Sequence, residues 1–160
     1  MNYIALSDFK KAWVFRHKDL PIAESDLEQI KPMTAQRAAV LWSTMVSREQ
    51  DHPDFFTPND WAGKEDNWEE VVDWEQAWEE GVEQLPEPIC EYLNWEDNTT
   101  VYFCLSRDHV IETQFGVFKR CWQNFMFLVD GSLLLGKKRD AAVQFLESGE
   151  AKLGQRPKGN

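Results

Sequence analysis

Residues 99–113 read TTVYFCLSRDHVIET, and they indicate most clearly what kind of fold the chain adopts. β-branched and aromatic residues fill both ends of this stretch, and a polar Ser-Arg-Asp connection separates them. Such residues are enriched in strands, and a short polar connection is typical of the turn between two paired strands. The stretch therefore predicts a β-hairpin, with which an antiparallel sheet begins.

The sequence that follows predicts more strands of this sheet. Phe115, Phe118 and Trp122 recur at helical spacing, which indicates a short crossover helix after the first hairpin. Two more hairpins are predicted because glycine-containing turns separate short apolar runs. Their strands are expected over residues 125–129, 133–136, 143–146 and 151–153.

The chain before residue 99 predicts mostly helices. Apolar residues at helical spacing predict helices over residues 7–12, 23–31, 34–47, 68–85 and 87–93. A short strand is expected at 13–16, and two prolines predict a loop at 51–60. This order predicts an α+β fold with N-terminal helices packed on a C-terminal antiparallel sheet of hairpins. The 160 residues fit a single domain, with residues 155–160 as a frayed tail.

Negative charge is concentrated in residues 60–97. That segment holds 14 acidic residues and one basic residue, a net charge of −13, while the rest of the chain carries +2 and the whole chain −11. Binding to DNA or RNA depends on neutralising phosphates with Lys and Arg, so this charge argues against a nucleic-acid partner. An acidic surface instead favours a basic partner.

We therefore expect a protein-binding or regulatory module whose acidic segment receives a basic protein partner. Trp61 has no apolar neighbour at periodic spacing, and tryptophan is favoured at binding hot spots. The alternative for Trp61 is a ring packed against its own domain. The helix over 68–85 would bury Trp68, Trp74 and Trp78 on one face. The exposed face of this helix, opposite the tryptophans, would carry Glu69, Glu70 and Asp73. These three residues and Trp61 are the expected binding residues.

A second function stays open, that of a small enzyme or metal-dependent hydrolase. Histidine and carboxylate side chains carry general acid–base catalysis and bind divalent metals. The candidate residues are His17, His52, Asp54, Glu96 and Asp97. The alternative for each is structural, because Asp-containing loops also form turns and caps. Their spacing fits no standard metal motif, so no cofactor and no bound metal are expected.

The cysteines and the apolar runs suggest a compartment. Three cysteines without a CxxC pair argue against a disulfide framework and a zinc ribbon, and Cys104 is expected to be a buried thiol. The longest apolar run, 125–129, is far shorter than the roughly 20 residues of a membrane-spanning helix. No secretory signal pattern is visible at the N-terminus. We therefore expect a cytoplasmic protein with no membrane partner.

Five segments of the chain resemble a family of small gammaproteobacterial proteins of unknown function. They are FRHKDLP (15–21), DHPDFF (51–56), WEDNTTVYFC (95–104), GVFKRCWQNF (116–125) and DGSLLLGKKR (130–139). The resemblance covers nearly the whole chain, and it implies one intact domain in a bacterial cytoplasm. It implies no activity, cofactor or catalytic residue.

Overall fold

The structure, a computed structural model, describes residues 1–157. These residues form five α-helices and seven strands. The helices are α1 (Glu24–Leu27), α2 (Ala35–Met45), α3 (Glu75–Glu79), α4 (Glu87–Leu93) and α5 (Phe115–Phe125). The strands are β1 (Lys31–Pro32), β2 (Trp68–Asp73), β3 (Thr100–Ser106), β4 (His109–Gln114), β5 (Leu133–Gly136), β6 (Ala141–Phe145) and β7 (Glu150–Gln155). No helix within residues 1–157 has both the length and the apolar character needed to cross a bilayer.

All seven strands lie in one antiparallel sheet, in the order β1-β4-β3-β5-β6-β7-β2. The predicted hairpin over residues 99–113 is confirmed as β3 and β4, with Phe103 opposite Ile111. The last predicted hairpin is confirmed as β6 and β7, and Gly149 turns between them with φ at 95°. The long β3 therefore lies near the centre of the sheet, and β1 and β2 form its two edges.

Both faces of the sheet are buried. Because side chains alternate along a strand, Phe103 of β3 faces α5, where its ring lies 5.8 Å from Phe118 and 5.1 Å from Phe125 between centroids. The neighbouring Cys104 lies on the opposite face, in the cluster that includes the fully buried Trp42 of α2. The α+β class is confirmed. Helices are not confined to the N-terminal half, because α5 follows β4 and covers a face of the sheet.

The predicted amphipathic helix over residues 68–85 is wrong. Its first six residues are strand β2, which pairs with β7, and α3 then spans five residues before Gly81 turns the chain at a φ of 68°. Val71 and Val82 are 54% and 41% exposed, so this segment has no continuous buried apolar face. The adjacent β-branched Val71 and Val72 suit a strand, and pairing with β7 supplies backbone hydrogen bonds that override the helical spacing.

The tryptophans of this segment also fail to share one buried face. Trp74 is buried, whereas Trp68 and Trp78 are half-buried. Each indole N–H donates to a carbonyl in a different part of the chain, so three separate contacts replace the predicted stripe. The acceptors are Ala62 for Trp68, Leu146 for Trp74 and Gln123 for Trp78.

Two predicted strands are 3₁₀ turns instead. Residues 13–16 overlap the 3₁₀ turn Ala12–Phe15, and residues 125–129 cover the end of α5 and the turn Met126–Leu128. Short apolar runs do not distinguish a strand from a buried helical turn, which explains both errors. At the C-terminus, Gln155 pairs with Ala141 as the last residue of β7. Of the predicted tail, residues 158–160 lie outside the described residues.

Candidate functional site

The acidic segment forms an open edge of the sheet. Within residues 1–157, β2 pairs with β7 on one side and with no strand on the other. All three predicted acidic binding residues are exposed, and so is Val71 between them. They are Glu69, Glu70 and Asp73. A six-residue strand thus presents unpaired backbone groups among carboxylates.

The three carboxylates of β2 differ in the hydrogen bonds that they accept. Glu69 accepts a hydrogen bond from the hydroxyl of Tyr92 at 2.9 Å, and burial raises the pKa of Tyr92, helped by this bond to a carboxylate. Asp73 accepts from the backbone N–H of Gln76 at 2.9 Å and so caps the start of α3. Within residues 1–157, Glu70 makes no side-chain hydrogen bond or ion pair. Glu70 is therefore the carboxylate whose charge can be changed without losing an internal contact.

Trp61 lies beside the start of β2 and is held by its own domain. Its indole N–H donates to the Met45 carbonyl at 2.9 Å, and its ring centroid lies 5.8 Å from that of Trp68. The ring is half-buried and also lines a groove of about 810 Å³ between the end of α2, residues 59–64 and Arg156. Trp61 therefore packs against its own domain and also borders an open space, and its role in binding stays a prediction.

His52 and Asp54 lie together, as their spacing predicts, and a third residue joins them. The Nε2 atom of His52 lies 3.0 Å from a carboxylate oxygen of Asp130, and its Nδ1 atom lies 3.5 Å from one of Asp54. Potential metal-ligand atoms of these three residues lie within 4.8 Å of one another. Asp130 was not predicted from the sequence, because it lies 78 residues from His52 and the Asp130-Gly131 pair signals only a turn.

The hydrogen bonds of His52 favour a structural role over catalysis. Its Nδ1 atom accepts the backbone N–H of Asp54 at 3.0 Å, which leaves Nε2 as the protonated nitrogen that donates to Asp130. Both ring nitrogens are then engaged in internal hydrogen bonds. A metal at Nε2 would first have to displace that proton. In this arrangement His52 links two loops.

The two loops linked by His52 are also packed together. Gly131 has a φ of 75°, and a Cβ atom there would lie 3.0 Å from the Cβ of Pro53. The side-chain amide of Gln144 donates to the Gly131 carbonyl at 3.1 Å. The backbone N–H of Arg107, the residue after β3, donates to the Asp51 carbonyl at 2.9 Å. This bond ties the loop that contains His52 to the end of β3.

The remaining enzyme candidates lie elsewhere. Asp97 pairs with the Lys119 ammonium at 2.6 Å, and this hydrogen bond and charge lower the pKa of Asp97. Glu96 and Asp97 precede β3, whereas the His52 loop adjoins the residue after β3, so about 20 Å of strand separates them. His17 lies outside the His52 cluster and stacks on Phe127 with centroids 5.4 Å apart. The five residues therefore do not form one active site.

Cys104 and Cys121 offer no reactive thiolate. Cys104 is fully buried, and burial raises the pKa of its thiol far above the ordinary range. Burial raises the pKa of Cys121 to about 12. His109, the nearest base in sequence to Cys104, instead lies 3.0 Å from the hydroxyl of Ser106. Both cysteines therefore act as core residues.

The fold and these sites define a small α+β protein whose seven-stranded sheet, within residues 1–157, ends in an acidic strand. The chain belongs to the family described as "Protein of unknown function (DUF2947)", whose model matches residues 3–154. This confirms the predicted membership in a family of unknown function. Comparison with curated proteins and with solved structures found no match. The cytoplasmic location stays a prediction.

Proposed function

We propose that the protein is a protein-binding module that receives a basic, extended segment of a partner along the outer edge of β2. The observation that carries this proposal is the juxtaposition of an unpaired six-residue strand edge, within residues 1–157, with three exposed carboxylates. An extended peptide adds to such an edge through main-chain hydrogen bonds, and its side chains supply the specificity.

Charge selects the partner. The net charge of −13 over residues 60–97 raises the rate of encounter with a basic segment and repels an acidic one. The same charge opposes pairing of β2 with the β2 strand of a second copy, because like charges would then face each other. The edge therefore favours a partner of opposite charge over self-association.

Apolar contact adds to the charge. Val71 is 54% exposed at the middle of β2, between the acidic side chains. An added strand that alternates Lys or Arg with Val or Ile would cover Val71 on one face. We expect such a segment to bind better than a lysine-only segment, because burial of apolar area contributes in addition to ion pairing.

Fluorescence anisotropy with synthetic peptides tests the proposal. The probe is a labelled eight-residue peptide of alternating Lys and Val, compared with its Glu and Val counterpart and with a version N-methylated at alternate amides. We expect saturable binding of the first peptide only, weaker at high salt. Equal binding of the N-methylated version would contradict strand addition, and absence of binding at low salt would contradict the whole proposal.

A charge-reversed variant and its matched control locate the surface. Glu70→Lys should weaken peptide binding about tenfold, since it replaces an attractive charge with a repulsive one. Glu83→Lys makes the same charge change at an exposed residue of the acidic segment outside β2, and it should weaken binding much less. Equal losses in the two variants would mean that only overall charge matters.

A further inference from the structure

The groove beside Trp61 is lined by positive charge in a strongly acidic protein. Arg48, Lys64 and Arg156 border it, although the whole chain carries −11. They come from the end of α2, from the loop before β2 and from the residue after β7. Three distant parts of the chain therefore bring cations to the same space.

Two carboxylates also border the groove, but one of them is already used. Asp60 is buried, and its two oxygens accept hydrogen bonds from the Ser47 hydroxyl and from the backbone N–H of Thr57. Glu49 is exposed. The cations thus outnumber the carboxylates, and the buried carboxylate is compensated by internal donors.

Arg156 has donors without acceptors. One of its terminal nitrogens donates to the Arg139 carbonyl at 2.7 Å. Its Nε atom is buried and has no hydrogen-bond partner within residues 1–157. Partial burial lowers the pKa of this guanidinium, and the charge of Asp140 acts in the opposite direction. A buried donor without an acceptor is unfavourable for the folded state. The terminal N–H groups of a guanidinium match the oxygens of a carboxylate or a phosphate.

The size and lining of the groove indicate the kind of ligand. A volume of about 810 Å³ is much larger than a single inorganic ion and lies within the range of small-molecule sites. Ser43 and Thr44 add hydroxyl groups, and Trp61 adds an aromatic edge. This mixture suits a polar organic molecule that carries an anionic group.

We propose that this groove binds a small organic anion, a carboxylate or a phosphate ester, with Arg156 as the main contact and Arg48 and Lys64 as supporting charges. The site is separate from the partner-binding edge in its chemistry, because one takes anions and the other takes a basic peptide. Failure of either proposal leaves the other standing.

Titrations with citrate and with glucose 6-phosphate, each at constant ionic strength, test the site. Binding is followed by the indole N–H resonance of Trp61 in a two-dimensional NMR spectrum and by calorimetry. We expect saturable shifts of Trp61 with at least one of these probes. Glucose and chloride serve as the uncharged and the inorganic controls, and they should cause no saturable shift. Absence of a saturable shift with both organic anions would overturn the proposal.

Variants decide whether the three cations act together. Arg156→Gln should weaken binding about tenfold, and Arg48→Ala and Lys64→Ala each a few-fold. Lys137→Ala removes an exposed cation between β5 and β6 and should leave binding unchanged. If Arg156→Gln does not fold, Arg48→Glu provides the decisive test, with a loss of about tenfold expected. An equal effect of Lys137→Ala would indicate nonspecific charge attraction and overturn the site.

Discussion

The β1 edge of the sheet is covered by the N-terminal segment of the chain. Within residues 1–157 the β2 edge pairs with no further strand, and it carries exposed carboxylates. Tyr3 bridges to Met33, and the backbone N–H of Ile4 donates to Pro32 of β1 at 3.0 Å. Pro32 has no N–H to offer to an added strand. The β2 edge has six residues and no such cover within residues 1–157.

This difference shows two ways of preventing unwanted strand pairing. Coverage by the chain and by proline excludes every added strand, whatever its sequence. Charge excludes only strands of the same sign, and it attracts strands of the opposite sign. An edge that is protected by charge can therefore serve as a selective binding surface. The following variants test which contacts hold β2 in the sheet and how its charge affects binding.

The largest effect is expected at the residue that anchors the end of β2. Trp74 is 6% exposed, and its indole donates to the Leu146 carbonyl at 3.2 Å. Trp74→Ala should lower the free energy of unfolding by about 3–5 kcal/mol, as large-to-small aromatic changes in a core do. Trp13→Ala is the control, since Trp13 is 56% exposed, and it should cost much less. Urea denaturation measures both, and equal losses would contradict the burial of Trp74.

The next largest effect is expected where β7 receives the start of β2. A Cβ atom on Gly154 would overlap the Asn67 carbonyl oxygen and would lie 2.7 Å from the Trp68 ring. Gly154→Val should therefore cost about 2–3 kcal/mol and speed hydrogen exchange across β2, because the clash forces the strands apart. Glu150→Val, at an exposed residue of β7, should leave both measurements nearly unchanged. Unaltered exchange in Gly154→Val would argue against the close approach of β2.

Strand β2 also shows which kind of element cannot be predicted from the sequence alone. The hairpin over 99–113 and helix α5 could be predicted because their patterns are local and agree with their burial. Strand β2 could not be predicted, because its one tryptophan and two valines fit helical spacing together with Trp74 and Trp78. Only its pairing with β7, about 80 residues later in the chain, decides between strand and helix.

Prediction of the candidate sites from the sequence was limited by the same cause, which is contact between distant parts of the chain. The proximity of His52 and Asp54 was predictable from their spacing, and the exposed carboxylates of β2 from the run of acidic residues. Asp130 and Arg156 were not predictable, because each joins its site through a contact between distant parts of the chain. The sequence identified side chains with the required chemistry, but the sheet topology determines which of them meet.

A smaller effect on stability is expected at two tyrosines, one near each edge of the sheet, whose hydroxyls donate to carboxylates. Tyr3 donates to Glu112 at 2.8 Å near the closed edge, and Tyr92 donates to Glu69 at 2.9 Å near the open one. Tyr3→Phe should cost about 1 kcal/mol, since its partner carboxylate is only 17% exposed. Tyr92→Phe should cost less, because the bond to Glu69 is exposed to solvent. The reverse order in thermal or urea unfolding would contradict this ranking.

The contribution of Tyr3 should also depend on pH. Burial, and then the hydrogen bond to Glu112, raise the pKa of Tyr3 above its ordinary value of 10.0. A group with a raised pKa in the folded state contributes stability below its unfolded pKa and loses it as the pH rises through the folded pKa. The difference between wild type and Tyr3→Phe should therefore be constant up to about pH 9 and shrink above pH 10. A difference that grows with pH would contradict the direction of the shift.

The smallest effect on stability is expected at Glu70, where the proposed function predicts a clear effect on binding. Glu70 is exposed and makes no side-chain hydrogen bond or ion pair within residues 1–157, so Glu70→Gln removes a charge and no internal contact. The free energy of unfolding should change by less than about 0.5 kcal/mol, and relief of repulsion among the nearby carboxylates would make the change favourable.

Binding of the Lys and Val peptide to Glu70→Gln should weaken mainly through slower association, and the difference from wild type should shrink at high salt. Asp73→Asn is the companion variant, because its amide oxygen can still cap α3 through Gln76 while its charge is lost. If stopped-flow measurements show the loss only in dissociation, and equally at both salt concentrations, the carboxylates do not select the partner by charge, and the open edge differs from the closed one only in its backbone.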